Sequence, residues 1–191
     1  MDELTYYTVI PCAPPWPRGE ARIHSGGREV AAVRSEPWPD VLTRPWPDGL
    51  KGLPWLPWLL GHKHRTAQSR FVVRGADGRP ILRLHEREPI FRPTVGVFDA
   101  EDVRVGYCGG AFKGGGDGIA VRDTAHRIVG ALAKADGSSI RFIAADKELL
   151  GEITGTPAGY AVTAASDRPN ARLFLLAATL VLIAWGRLSR P

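Results

Sequence analysis

One short apolar stretch near the C-terminus limits the folds open to this 191-residue chain. It runs from Leu173 to Trp185 as LFLLAATLVLIAW, with Arg172 before it and Gly186 after it. A helix of this composition is apolar on every face, whereas a helix on a protein surface would show a polar stripe. The stretch therefore belongs either in a protein core or in a lipid bilayer.

The length of this helix favours a protein core. Fourteen residues, Leu173 to Gly186, span roughly 21 Å at about 1.5 Å each. The hydrocarbon layer of a bilayer is about 30 Å thick and usually takes around 20 apolar residues. We expect a helix buried by the rest of the chain, capped by Asp167 or Asn170 and ended by Gly186. A C-terminal membrane anchor is the alternative.

One strand–turn–strand pattern recurs through the rest of the chain. Apolar alternating runs joined by turn residues occupy residues 21–33, 71–84, 94–107, 118–132 and 140–153. The turn aspartates Asp77, Asp99, Asp123 and Asp146 are 22, 24 and 23 residues apart. Turn chemistry explains their recurrence, so they are not read as a carboxylate pair for acid–base catalysis. The repeat predicts a series of hairpins.

These hairpins predict a closed sheet. Five hairpins give about ten strands, and residues 6–10 and 160–163 are two more candidates. Consecutive hairpins form an antiparallel meander, and closing the sheet removes its exposed edges. Repeated strand glycines, Gly106, Gly130 and Gly151, suit the bends and close approaches of a curved sheet. We predict a mainly β fold, a closed antiparallel barrel of about twelve strands that encloses the hydrophobic C-terminal α-helix.

The first third of the chain differs in composition from the remainder. Pro-Trp pairs recur between Pro15 and Trp58, and each proline disfavours a regular helix through its neighbourhood. We expect one domain overall. In it, residues 1–68 form a Pro/Trp-rich portion with the first barrel strands and a long lid-like loop, and residues 69–191 form the hairpin repeats and the central helix.

The whole pattern resembles the tubby-like superfamily, specifically its phospholipid scramblase and LURP-one-related branch. The repeated unit, the segment Gly159-Tyr160-Ala161-Val162 and the terminal apolar helix carry this resemblance over about residues 71–187. It implies a twelve-stranded barrel around a hydrophobic C-terminal helix. Tubby proteins bind phosphoinositide headgroups through basic residues on the barrel, but no such motif is found here and no binding residue is transferred.

Two features of eukaryotic scramblases are absent from the sequence. Their cysteine-rich palmitoylation stretch has no counterpart, since the only cysteines are Cys12 and Cys108. Their acidic calcium-binding stretch before the terminal helix is reduced to Asp167, which offers too few oxygen ligands for calcium. Calcium-driven scrambling is therefore not expected.

Composition excludes several other classes of function. Basic residues outnumber acidic ones by 25 to 20, and the excess is spread along the chain, so no nucleic-acid surface is expected. Two separated cysteines cannot form a disulfide framework or a zinc cluster. The acidic start, Met1-Asp2-Glu3, is unlike a secretory signal. We expect a cytoplasmic protein without cofactor or metal, and arginine-rich, lysine-poor composition suggests a bacterial source.

The best candidate contact site is a Trp-rich segment beside basic residues. Its residues are Trp55, Leu56, Trp58, Leu59, Lys63 and Arg65. Trp and Leu suit the interfacial zone of a bilayer, and basic side chains are attracted to anionic headgroups. Two alternatives are a lid over the barrel mouth and an extended ligand for a proline-binding partner protein.

No motif for catalysis is present. His62 and His64 lack further metal ligands nearby, and the glycine-rich residues 113–118 lack the order of a phosphate-binding loop. No serine lies in a nucleophile elbow, and Cys108 has no identifiable base. We expect no enzyme activity. The predicted function is a lipid-binding or peripherally membrane-associated barrel, with a protein-interaction scaffold or a tail-anchored membrane protein as alternatives.

Overall fold

A computed structural model describes residues 5–12, 20–37, 69–87, 94–110, 119–135, 139–168 and 170–184. Within these residues the chain forms twelve strands and one helix. In chain order they are β1 (Tyr6–Pro11), β2 (Ala21–Ser25), β3 (Arg28–Pro37), β4 (Ser69–Gly75), β5 (Pro80–Arg87), β6 (Thr94–Phe98), β7 (Arg104–Gly110), β8 (Ile119–Asp123), β9 (Ile128–Lys134), β10 (Ser139–Ala144), β11 (Leu149–Thr156), β12 (Gly159–Ala164) and α1 (Ala171–Ala184).

The strands form one closed antiparallel barrel. Each strand pairs with its neighbours in the sequence, and β1 pairs with β12 to close the sheet. At this closure Tyr7 lies opposite Val162 and Val9 lies opposite Tyr160. The predicted barrel, its five hairpins and the two additional strands are confirmed.

The barrel interior is filled by alternate strand residues and by the helix. In β6, for example, Val95 and Val97 are buried while Thr94 and Phe98 lie on the outer side. Helix α1 contacts β5 to β8 and also β11 and β12, and residues on every face of it are buried. The hydrophobic residues of the helix thus belong to the core of the barrel, as its composition predicted.

The helix starts two residues before the predicted apolar run. Asn170, with φ 60°, precedes the first helical residue, and its carbonyl accepts a 2.8 Å hydrogen bond from the Phe174 N–H. Asp167, the other predicted cap, instead accepts a 2.8 Å hydrogen bond from the Arg172 guanidinium. Gly186, the predicted end, lies outside the described residues. Among the described residues, no helix has the length and apolar character needed to span a membrane.

Four hairpin turns share one backbone geometry. The fourth residue of each turn has a positive φ and donates its N–H to the carbonyl three residues earlier. These residues are Gly78, Asp102, His126 and Lys147. The β2–β3 turn differs, because Gly26 and Gly27 both have positive φ, as its sequence indicated.

The turn aspartates occupy two different positions of this turn. Asp99 and Asp123 come first in their turns, and Oδ1 of each accepts hydrogen bonds from two later backbone N–H groups. Asp77 and Asp146 come third, and each accepts from one N–H group two residues later. All four nevertheless close turns, as predicted.

Each of the five hairpins contains a β-bulge near its turn. One residue of the second strand is skipped in the pairing, and these residues are Val30, Ile81, Val105, Val129 and Leu150. The predicted strand glycines Gly106, Gly130 and Gly151 each follow the skipped residue. At Gly106 a Cβ would lie 2.2 Å from the Arg122 carbonyl oxygen, so the predicted close approach is confirmed.

Candidate functional site

The predicted contact residues Trp55, Leu56, Trp58, Leu59, Lys63 and Arg65 lie outside the described residues. The same holds for His62, His64 and the glycine-rich residues 113–118. Their roles stay predictions. The candidate site described below is formed by the outer face of the barrel.

Strand register places arginine and aromatic residues side by side on the outer face of β3 to β8. Two adjacent cross-strand rows carry them. The first row is Arg34, Val72, Arg83, Phe98 and Arg104, and the second is Glu36, Arg70, His85, Gly96, Tyr107 and Arg122. We call Arg70, Arg83, His85, Phe98, Arg104, Tyr107 and Arg122 the arginine–aromatic face.

Phe98 lies at the centre of this face because Gly96 leaves room for its ring. A Cβ at Gly96 would lie 2.9 Å from the Phe98 ring. The ring reaches across to His85, with 4.2 Å between the ring centroids and 31° between the planes. This packing gives the face an ordered apolar surface between its cations.

Arg104 lies over two aromatic rings. Its guanidinium carbon is 5.6 Å from the Phe98 centroid and 5.3 Å from the Tyr107 centroid, within the range of a cation–π interaction. Nη1 of Arg104 also donates a 2.5 Å hydrogen bond to the Tyr107 hydroxyl. The guanidinium is thereby held close to the barrel surface.

Tyr107 continues this packing toward the β8–β9 turn. Its ring stacks on His126, with centroids 5.1 Å apart and planes within 11°. Arg122, opposite Tyr107 in the sheet, donates a 3.0 Å hydrogen bond from Nη1 to the His126 carbonyl. One end of the face is therefore tied to a turn.

Arg70 and Arg83 form the deeper part of the face. Their side chains are 22% and 18% exposed, and both approach Oδ1 of Asp102, at 3.9 Å for Arg70 Nη2 and 3.6 Å for Arg83 Nη1. Arg83 Nη1 also donates to the carbonyls of Ala100, at 2.8 Å, and Asp99, at 3.3 Å. Two largely buried cations thus share one carboxylate.

The face carries more positive than negative charge. Among the described residues, no carboxylate oxygen lies within 4 Å of a nitrogen of Arg104 or Arg122. Glu36, at the edge of the face, pairs with Arg74 at 2.8 Å. The arrangement therefore suits an anion that presents oxygen acceptors and also contacts aromatic rings.

A shallow pocket of about 320 Å³ adjoins the first row. Small residues of β3 and of the β4–β5 turn line it, together with Glu29, Arg34 and Arg74. These charged groups are already paired, Arg34 with Glu20 at 3.6 Å and Glu29 with Arg22 at 3.5 Å. The pocket extends the charged surface without adding unpaired charge.

The described residues do not provide a reactive nucleophile or a metal cluster at this face. No group of three metal-ligating side chains occurs among them. Burial raises the pKa of the Cys108 thiol to about 12, which keeps it protonated and unreactive. Burial likewise raises the pKa of the Tyr7 phenol, while Thr179 acts to lower it. Both groups point into the barrel core, away from the arginine–aromatic face.

A second charge cluster joins the β10–β11 turn to the segment before the helix. Arg168 Nη2 pairs with Asp146 at 2.6 Å and with Glu148, and Ser166 donates to Glu148 at 2.8 Å. The hydrogen bond from Arg168 and that from the Glu148 N–H hold the pKa of the Asp146 carboxyl below its ordinary value. Because its charges are paired with one another, this cluster supports structure rather than ligand binding.

The four arginines of this face come from four different strands, so they are scattered in the sequence. One part of the face could be predicted from the sequence. Arg83 and His85 are two residues apart, so their side chains lie on the same side of a strand. The pairing between strands was not visible, because the bulge at Val105 decides that Arg104 faces Phe98.

Comparison with known proteins supports the fold. No protein-family model and no curated protein matches the chain. The X-ray structure of a protein from Arabidopsis thaliana is similar to it, with a TM-score of 0.53 and 13% identity over 95% of this chain and 91% of the plant protein. The likeness is compatible with the tubby-like resemblance of the sequence, and at this identity it shows the fold alone.

Proposed function

We propose that this protein is a non-catalytic barrel that binds membrane surfaces containing anionic phospholipid. The arginine–aromatic face is the proposed contact surface. The observation that carries the proposal is a set of cations with little matching negative charge. Arg104 lies over two aromatic rings, Arg122 lies opposite Tyr107, and neither has a carboxylate of the described residues within 4 Å. A barrel similar to that of the Arabidopsis thaliana protein is consistent with lipid binding.

The physical basis of the proposal is electrostatic attraction combined with aromatic contact. Each arginine near an anionic membrane surface contributes about 1 kcal/mol, and amphipathic aromatic rings favour the headgroup region. The central helix does not take part, since its apolar side chains lie in the barrel core. The protein would therefore attach peripherally.

The Trp-rich segment is proposed as a second contact. Trp55, Leu56, Trp58 and Leu59 would enter the interfacial zone, and Lys63 and Arg65 would face the anionic headgroups. This role rests on the sequence alone.

Co-sedimentation with vesicles tests the proposal. Full-length protein is mixed with vesicles of phosphatidylcholine alone, or of phosphatidylcholine with a fifth of phosphatidylserine. We expect binding to the anionic vesicles only. The Arg104→Gln, Arg122→Gln variant should bind about thirtyfold more weakly, since it loses two charges near the surface at about 1 kcal/mol each.

A matched variant controls for net charge. Arg22 on β2 and Arg141 on β10 lie away from the arginine–aromatic face, so Arg22→Gln, Arg141→Gln should leave most of the binding intact. A Trp55→Ala, Trp58→Ala variant measures the separate contribution of the Trp-rich segment. If the wild type does not pellet with anionic vesicles, the lipid function is wrong and a protein-interaction scaffold is the function to pursue.

A further inference from the structure

The central helix buries one polar side chain. Eleven residues of α1 are buried, and ten of them are Ala, Leu, Phe or Val. The eleventh, Thr179, has no exposed surface. Because the hydrophobic effect has no direction, a helix that is apolar all round buries a similar area whichever way it is turned about its axis. Thr179 is therefore the one buried residue of the helix whose polar contacts distinguish one rotation from another.

Tyr7 brings a second polar group into the same core. It lies on β1, opposite Val162 of β12 where the barrel closes, and its side chain is fully buried. Among the described residues, no group meets its hydroxyl with both the distance and the angles of a hydrogen bond. A buried hydroxyl without a good partner costs free energy, so its place in the core needs an explanation.

Thr179 is the polar neighbour of this phenol. Burial raises the pKa of Tyr7 and the Thr179 hydroxyl lowers it, so the two hydroxyl groups are close enough to interact. The Thr179 hydroxyl already donates its proton, in a 2.8 Å hydrogen bond from Oγ1 to the Leu175 carbonyl. Its oxygen is left as an acceptor, and the Tyr7 O–H is the donor beside it. We call these two groups the hydroxyl pair.

Only one member of the hydroxyl pair depends on the rotation of the helix. Thr179 keeps its hydrogen bond to the Leu175 carbonyl however the helix is turned, because both residues belong to the helix. The Tyr7 hydroxyl would instead face hydrocarbon if the helix were turned away, because the other buried helix residues have no polar side chain. The observed rotation is therefore the one that offers Tyr7 an acceptor.

We propose that the hydroxyl pair selects the rotation of the central helix when the barrel closes around it. Tyr7 belongs to the first strand and Thr179 to the helix that follows the last strand, so the pair joins the closing strand to the core. A single buried polar residue fixes the register of a coiled coil in a comparable way, at some cost in stability. This inference concerns the barrel interior and does not depend on the proposed function.

A double-mutant cycle measures the coupling within the hydroxyl pair. Thr179→Val keeps the branched shape but removes the acceptor, and Tyr7→Phe removes the group that needs it. Full-length proteins are unfolded in urea. We expect Thr179→Val to raise the unfolding equilibrium constant about tenfold more in the wild-type background than in the Tyr7→Phe background, since only the former leaves a buried hydroxyl without its acceptor. The lost bond to the Leu175 carbonyl is common to both backgrounds and cancels.

A second measurement reports the rotation of the helix rather than stability. Amide spectra recorded by nuclear magnetic resonance should show one signal for each residue of α1 in the wild type. The Tyr7→Phe, Thr179→Val variant has lost the polar preference, and we expect additional helix signals from a second rotation. Thr179→Ser is the matched control, because it keeps the acceptor beside Tyr7 and should give a single set of signals.

Two results would overturn the inference. One is equal destabilisation by Thr179→Val in the wild-type and Tyr7→Phe backgrounds, which would show that the two hydroxyl groups are not coupled. The other is a single set of helix signals in the Tyr7→Phe, Thr179→Val variant, which would show that apolar packing alone sets the rotation. Neither result bears on vesicle binding, so the proposed function is judged separately.

Discussion

The Leu175 side chain on the central helix fills the space in which a side chain at Gly151 would begin. A Cβ built on Gly151 would lie 2.4 Å from Leu175 Cδ2 and 2.8 Å from the Thr163 carbonyl oxygen. A similar contact joins Phe174 to Gly106, where a Cβ would lie 2.8 Å from the ring. Strand glycines beside the bulges therefore form recesses that fix the position of the helix in the barrel.

Gly151→Ala should destabilise the protein by about 1–3 kcal/mol, because the added methyl group must displace Leu175 or the backbone of β12. The measurement is chemical or thermal unfolding followed by circular dichroism. Gly110→Ala is the control, since a Cβ there meets nothing within 4 Å. Equal stability of the two variants would show that Leu175 does not need the space at Gly151.

Leu180→Ala should cost about 2–5 kcal/mol of unfolding free energy, because it leaves a cavity in a fully buried part of the helix. Urea unfolding with an unchanged m-value would report the loss. Val103→Ala removes apolar atoms from a residue that is 58% exposed and should change stability little. A Leu180→Ala protein as stable as the wild type would show that the helix is not part of the core.

The two cysteines should differ in reactivity. Cys12 is exposed and Cys108 is buried, so a thiol reagent at pH 8 should modify one group per native chain and two after unfolding. Rapid modification of both thiols in the native state would contradict this.

The raised pKa of Cys108, about 12 against an ordinary 9.0, predicts stability that is full below pH 9 and is lost as the pH rises toward 12.

Stability in acid should depend on the Arg168–Asp146 pair. Because the pKa of Asp146 is lowered in the folded protein, its contribution is present above the ordinary value of 3.8 and is lost as the pH falls through the lowered one. Melting temperatures measured between pH 6 and pH 2 should therefore fall less steeply for Asp146→Asn than for the wild type. If the melting temperatures of the two proteins fall equally with pH, the proposed role of Asp146 in acid stability is wrong. Arg168→Gln should reproduce the shallower curve.

The sequence contained enough information to predict the barrel but not the candidate site. Hairpins follow from local turn chemistry and from alternation along each strand, and closure follows from the cost of open edges. A site on the outer face depends instead on the register between strands. The bulge that skips Val105 sets Arg104 against Phe98, and a shift of one residue would turn these side chains to opposite faces.

The spacing of the aspartates along the chain also could not show which position each one takes in its turn. Asp99 and Asp102 belong to one turn, yet Asp99 binds backbone N–H groups while Asp102 faces two arginines. Both are aspartates in one short loop, and the spacing of the repeat points only to Asp99. The difference arises from arginines on β4 and β5 that approach the turn from neighbouring strands.

The pairing of β1 with β12 makes folding of the barrel depend on contact between strands almost the whole chain apart. A chain lacking either strand would form an open sheet with two unpaired edges. The apolar interior of the barrel would then be exposed to water. Such edges invite association with other copies, and long-range closure is slow. Loss of a few residues from either of these two strands should therefore yield aggregates rather than a smaller, working protein.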